Sequence, residues 1–250
     1  MFKRIENHSY NLNTGFPITQ SVISGSQNGS IFQFGQNYFI LHKAGFSSLI
    51  HSTNCFEELL ELFRSECIPE YFHLYNSPEV LIDKLKELSS EFSFKIRTRI
   101  RLEYISKDLL NVNKIDGFIV EKVSSSNFDH FQELGLMLDS KFWNSKDDFI
   151  SGARGVVATD NKGNPVSICY AASLSNQKAE IDVLTVDKFR GMGLAKLLVS
   201  NFVNNCVSDK IIASWDCFED NFGSINTALS LKFLECKKYN FLSLFKHLKY

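Results

Sequence analysis

The sequence lacks most of the features that sort a chain quickly into a class. Net charge is nearly absent: 27 Lys and Arg against 28 Asp and Glu give −1 at pH 7. That offers no broad electrostatic attraction to nucleic acid or to an anionic membrane. No apolar run approaches the length of a membrane span, and residues 1–10, although they include Lys3 and Arg4, lack the apolar stretch of a signal peptide. A cytoplasmic protein is expected. The six cysteines (Cys55, Cys67, Cys169, Cys206, Cys217 and Cys236) form no Cys-x-x-Cys pair and have no histidine pair nearby at zinc spacing. They read as thiols of a reducing compartment, and no metal site is expected. There is no long Pro- or Ser-rich linker and no evident internal repeat.

What the chain does have is apolar content, 44% of 250 residues, ample for one large core or two small ones. In the first half, glycine-containing turns separate strands expected over 30–34, 38–42 and 46–50. Asn54 followed by Glu57 signals one helix start; Ser77 as N-cap with Pro78 at the first helical position signals another, with Val80, Leu81, Leu85 and Leu88 along one side. Residues 94–102 alternate strictly and put Lys95, Arg97, Arg99 and Arg101 on one strand face. That face is either an anion site or a solvated sheet surface. A polar stretch over 111–117 suggests a boundary between residues 1–115 and 116–250.

The second half reads as a strand over 118–123, a helix over 127–138, and a short helix capped by Ser145 with Asp148 three residues on. Strands follow over 155–159, 165–174 and 179–186. A helix begins near Leu194, with Ala195, Leu198, Val199, Phe202, Val203 and Cys206 at helical spacing. A strand over 211–215, a helix over 221–231 and a terminal strand over 240–247 complete the chain.

Chemistry is concentrated between the 179–186 strand and the helix after it, where the chain reads Phe189-Arg190-Gly191-Met192-Gly193-Leu194-Ala195-Lys196. Glycines there permit positive φ and close approach of a ligand to the backbone. Free N–H groups and the positive end of the helix dipole favour an anion. The spacing is not that of a Walker loop, and Lys196 stands where a dinucleotide fingerprint needs a small residue. Arg-x-x-Gly-x-Ala, with Arg190, Gly193 and Ala195 as its fixed members, resembles the acyl-CoA pyrophosphate loop of the GNAT superfamily of N-acyltransferases. From Phe142-Trp143 through this loop to Trp215-Asp216-Cys217, Asn221 and Ser224, the order of segments is similar to a bacterial two-domain branch of that superfamily. The similarity covers about the last 135 residues, a normal domain length.

The resemblance implies an α+β (α/β) fold, with a mixed, mostly antiparallel sheet flanked by helices and preceded by a smaller α+β domain that roofs the cleft and selects substrate. It implies acetyl transfer from acetyl-CoA, without metal, to a primary amine of a small molecule, by direct attack in a ternary complex. Backbone groups near Leu184, Thr185 and Val186 would pair with the pantetheine arm, and those of Arg190, Gly191, Met192, Gly193, Leu194, Ala195 and Lys196 would hold the pyrophosphate, with Lys188, Arg190 or Lys196 screening its charge. Asn221 and Ser224 match positions that approach the pantetheine, although helix capping explains either equally well. Asp182 and Glu180, alternating on one strand face, are the candidate bases, and Asp216 a candidate for binding substrate ammonium. Many members place a Tyr on the helix after Asn221 as general acid; here Asn226, Thr227, Ala228 and Leu229 stand there, leaving Tyr170 and Tyr239 as unranked substitutes. A non-catalytic module that binds acyl-CoA as a sensor is the competing reading, and Cys217 as a nucleophile is a remoter one. Neither nucleic acid nor membrane is expected as a partner, and the oligomeric state is left open, a homodimer among the options.

Overall fold

The structure is a computed structural model that describes residues 2–6, 11–51 and 54–247. The chain forms two compact units, Met1–Arg99 with Lys238–Tyr250, and Ile100–Lys237. It passes from one to the other inside strands rather than at 111–117. The polar 111–117 stretch continues a segment secured within the second unit: Leu110 donates its N–H to Asn204 Oδ1 at 2.7 Å and accepts from Asn204 Nδ2 at 3.0 Å.

The first unit contains β1 (Lys3–Ile5), α1 (Pro17–Ile23), β2 (Gly29–Phe34), β3 (Asn37–His42), β4 (Phe46–Ile50), α2 (Phe56–Arg64), β5 (Tyr71–Tyr75), α3 (Glu79–Glu87) and the start of β6 (Phe92–Tyr104). Strands β1 to β5 lie side by side in chain order, all antiparallel except β4 and β5. Burial of Leu59, Leu62 and Phe63 from α2, and Leu81 and Leu85 from α3, against Phe39, Phe72 and Leu74 makes the core. Pro78, not Ser77, is the N-cap of α3; the Ser77 N–H instead donates to Asn240 Oδ1 at 2.6 Å. β1, α1 and β5 were not expected from the sequence.

His73 on β5 bonds Ser243 through Nδ1 at 3.0 Å, and burial, assisted by the nearby Arg99 charge, lowers its pKa from 6.5 to about 4. Between those values the unfolded chain takes up a proton that the folded chain refuses. Stability therefore holds above about pH 6.5 and falls as pH drops toward 4. The urea midpoint is expected to be lower at pH 5 than at pH 7, and His73→Asn should flatten that difference; equal slopes in both proteins would refute the assignment.

The second unit contains the end of β6, then β7 (Phe118–Lys122), α4 (Phe128–Phe131), α5 (Lys146–Gly152), β8 (Val156–Asp160), β9 (Pro165–Ser175), β10 (Lys178–Thr185), α6 (Leu194–Ser208), β11 (Ile212–Phe218), α7 (Phe222–Ser230) and the start of β12 (Leu234–Lys246). The helix expected over 127–138 is broken up: α4 gives way to a 3₁₀ turn at Gln132–Leu134, and Gly135 at φ 73° ends it. The Ser145 cap is present, its hydroxyl accepting from the Asp148 N–H at 3.1 Å. Neighbours β7 to β10 are antiparallel, and β10 and β11 are parallel across the α6 crossover, as a strand, helix, strand unit requires. Leu198, Phe202, Val203 and Cys206 of α6 are fully buried. This is a mixed α and β fold whose sheet is mostly antiparallel.

The two units share an order of elements. In each, a strand and helical segment precede three antiparallel strands, then a helix, a strand parallel to the third of the three, a helix and a last strand. The repeat that the amino-acid sequence does not display is thus present in the topology.

Candidate active site

Strands β10 and β11 start paired and then part. Their register covers Lys178 to Glu180 against Ile212 to Ser214 and goes no further. The other edge of β10 stays bonded to β9 along its whole length. Val186 N–H donates to Val166 O at 2.9 Å, and the Leu184 carbonyl accepts from Ser167 Oγ at 2.8 Å. Leu184 and Val186 therefore address β9, and strand alternation turns the backbone groups of Val183 and Thr185 toward the gap. Of the three residues expected to meet a pantetheine arm, only Thr185 presents its backbone there; Val183, which sequence reasoning missed, joins it.

At the end of β10 a 3₁₀ turn, Asp187–Phe189, leads into the glycine loop. Gly191 and Gly193 have φ of 81° and 84°, and Gly193 is the N-cap of α6. An added Cβ at Gly191 would meet nothing within 4 Å, so the space above the loop is open. The backbone N–H groups of residues 191–196 have no intrachain acceptor among the described residues. Six donors at a helix N-terminus, unobstructed by side chains, fit a pyrophosphate.

These elements line one open cavity of about 720 Å³, with Val183, Leu184 and Thr185 on one wall, the loop from Phe189 to Lys196 at one end, and Trp215, Asn221, Ser224 and Thr227 opposite. Arg190 and Lys196 belong to the lining; Lys188 does not, and its ammonium lies over the Phe189 ring at 4.7 Å. Arg190 is held by Asp187 at 2.8 Å. Asn221 caps α7 by accepting from the Ser224 N–H at 3.1 Å, and Ser224 Oγ accepts from Trp215 Nε1 at 2.9 Å. Both residues thus serve the structure and still face the cavity.

The two strand carboxylates have different surroundings. Asp182 Oδ2 accepts from the Tyr170 hydroxyl at 2.7 Å and lies 3.7 Å from Lys141 Nζ, with the Asp182 side chain 33% exposed. Glu180 is buried, 3.9 Å from the guanidinium of Arg101. Asp216, the candidate for substrate ammonium, is also buried, and its carboxylate accepts from the same Arg101 at 3.3 Å. Lys178 pairs with Glu103 beside this cluster. Arg101 is therefore an internal counter-charge and not part of a solvated face, whereas Lys95 is exposed. Cys217 is buried. Of the substitute tyrosines, Tyr170 is in this unit; Tyr239 belongs to the first, where it packs on Phe16 and Tyr75.

A family model for the GNAT acetyltransferases matches residues 27–242. The chain belongs to the GNAT acetyltransferase family. Among curated proteins, the uncharacterized N-acetyltransferase YdfB of Bacillus subtilis is 24% identical over 229 residues, covering 90% of this chain and 87% of that one. A GCN5-related N-acetyltransferase-like protein from Streptococcus suis has the same fold, with a TM-score of 0.69 at 19% identity over 92% of each chain. A tandem GNAT protein from the clavulanic acid biosynthesis pathway superposes with a TM-score of 0.56 at 11% identity, covering 89% of this chain and 83% of that one. Among the described residues, no helix is long and apolar enough to cross a membrane, and no group of three or more His, Cys, Asp or Glu side chains is arranged to hold a metal ion.

Proposed function

We propose that this GNAT protein is an acetyl-CoA-dependent N-acetyltransferase acting on a primary amine of a small molecule, by direct attack while both substrates are bound. The observation that carries the reading is the convergence on one cavity of the β10–β11 gap and the open glycine turn at the start of α6. The N–H groups of residues 191–196 hold the pyrophosphate, with Arg190 and Lys196 as counter-charges. The exposed edge of β10 at Val183 and Thr185 pairs with the pantetheine, and the Val183 N–H polarises the thioester carbonyl. Acetyl-CoA supplies the acyl group; a C–N bond forms, the C–S bond breaks, the thiolate departs, and the second proton that the acylated nitrogen loses passes to that thiolate through solvent. A thiol of pKa near 8.5 is an adequate leaving group without an acid, which suits a helix α7 bearing Asn226 and Thr227 where many relatives have Tyr.

The acceptor must shed a proton before it attacks, because a primary amine near neutral pH is mostly ammonium. Asp182, a third exposed, is the group that takes it, and Glu180 assists through water. Asp216 is not assigned to the acceptor in this reading, its carboxylate being paired with Arg101. The absence of Tyr from α7 favours a second reading, a module that binds acyl-CoA without turning it over.

Thiol release from acetyl-CoA across a panel of amines separates the two. At least one amine should accelerate release, and with it Asp182→Asn should lower kcat by roughly 10²-fold while leaving acetyl-CoA affinity nearly intact. Raising the pH should recover part of the loss, because more of the amine is then neutral without help. Acetyl-CoA binding without release for any amine would favour the sensor.

A further inference from the structure

Among the described residues, the Asp182 carboxylate is held from one side only. Both the Tyr170 hydroxyl, at 2.7 Å, and Lys141 Nζ, at 3.7 Å, address Oδ2. Tyr170 faces Asp182 directly across the β9–β10 ladder, so the two side chains rise from the same face of the sheet. The Tyr170 ring is itself fixed, 1% exposed and packed against Phe149 with centroids 5.3 Å apart.

We propose that Tyr170 is a positioning residue for proton transfer: its hydroxyl pins Oδ2 of Asp182, so that Oδ1 is the oxygen that receives the proton of the acceptor ammonium. This deepens the acetyltransferase reading and rests on it. A hydroxyl bonded to one carboxylate oxygen fixes the carboxyl plane. Burial, then the Asp182 charge, pushes the Tyr170 phenol far above its ordinary value. The phenol therefore keeps its proton through the working pH range and always donates to Asp182. It follows that Tyr170 is not the missing acid for the leaving thiolate. The other titratable groups around Asp182 are Lys141, Glu180 on the same strand with its partner Arg101, and the buried Cys169 thiol, whose deprotonation Asp182 opposes.

The test is Tyr170→Phe, which removes one oxygen and keeps the ring in place. With an amine that the wild type acetylates, kcat should fall about tenfold or more, while the KM for acetyl-CoA should stay within about twofold. In an Asp182→Asn background, Tyr170→Phe should cost almost nothing further, since the group that it positions is gone. Unchanged kcat, or equal losses in both backgrounds, would overturn the assignment and leave the acetyltransferase reading standing. A KM for acetyl-CoA that rises as kcat falls, with a lowered melting temperature, would likewise reduce Tyr170 to a packing residue. Should the wild type release no thiol for any amine, the parent reading fails, and this assignment fails with it.

Discussion

Gly193→Asp is expected to abolish measurable acetyl-CoA binding by titration calorimetry, a loss of at least roughly 10²-fold, or about 2.7 kcal/mol. Two costs add. The residue sits at φ +84°, where a side chain is strained, and its Cβ would come within 3.4 Å of Ile115 Cδ1; left-handed backbone costs a non-glycine residue about 1–2 kcal/mol. In the proposed complex the added carboxylate would also face the pyrophosphate across the N–H groups of the loop. Repulsion between unit charges about 4 Å apart runs from about 1 kcal/mol in water to about 4 near a protein surface. Gly193→Ala separates the contributions, because it carries the backbone strain without the charge and should lose only part of the affinity. Wild-type affinity in Gly193→Asp would remove the pyrophosphate from this loop.

The loop was legible because its chemistry is local. A β-branched strand, two glycines and a helix start lie within about twenty consecutive residues, and spacing alone separates this turn from a Walker loop or a dinucleotide fingerprint. Backbone direction was not legible in the same way. Whether Val183 or Val186 faces the gap depends on which edge of β10 pairs with β9, and the Val166 and Ser167 partners settle that only after folding. α1 escaped notice because it has no apolar stripe: Thr19, Gln20 and Ser21 are as buried as Ile18 and Val22, and Thr19 reaches Ser48 Oγ at 2.8 Å. Alternation along β6 was silent about which of its four cations is internal, since the partner of Arg101 at Asp216 is 115 residues distant.

The repeated topology was hidden for a related reason. The connection from β10 to α6 carries Gly191 and Gly193, whereas the corresponding one from β4 to α2, residues 51–55, contains no glycine and ends in Asn54-Cys55. Two copies of one architecture need share only the burial pattern of their strands and helices, and many side chains satisfy that. Where one copy has an open glycine turn and the other a helix start at Cys55 with no side-chain cap, against the capping expected from Asn54 and Glu57, the most recognisable signature is the part that differs.

Arg101→Met is expected to destabilise the protein by about 3–5 kcal/mol in urea unfolding, the cost of leaving buried carboxylates without their counter-charge. The Arg101 and Asp216 side chains are 4% and 1% exposed, and Glu180 is 6% exposed. Met fills the space of the arginine stem and returns none of its hydrogen bonds. An exposed pair is the natural comparison: Lys84→Met breaks the contact with Glu57, whose side chain is 72% exposed, and should change stability by no more than about 1 kcal/mol. Neutralising both acids alongside, Arg101→Met with Glu180→Gln and Asp216→Asn, should recover much of the loss, because the penalty is that of uncompensated charge and not of a missing attraction. If Arg101→Met were no worse than Lys84→Met, the cluster would be solvated and Glu180 would be as open to the acceptor as Asp182. A large loss that the triple substitution relieves makes Arg101 the buried counter-charge of Glu180 on β10 and Asp216 on β11.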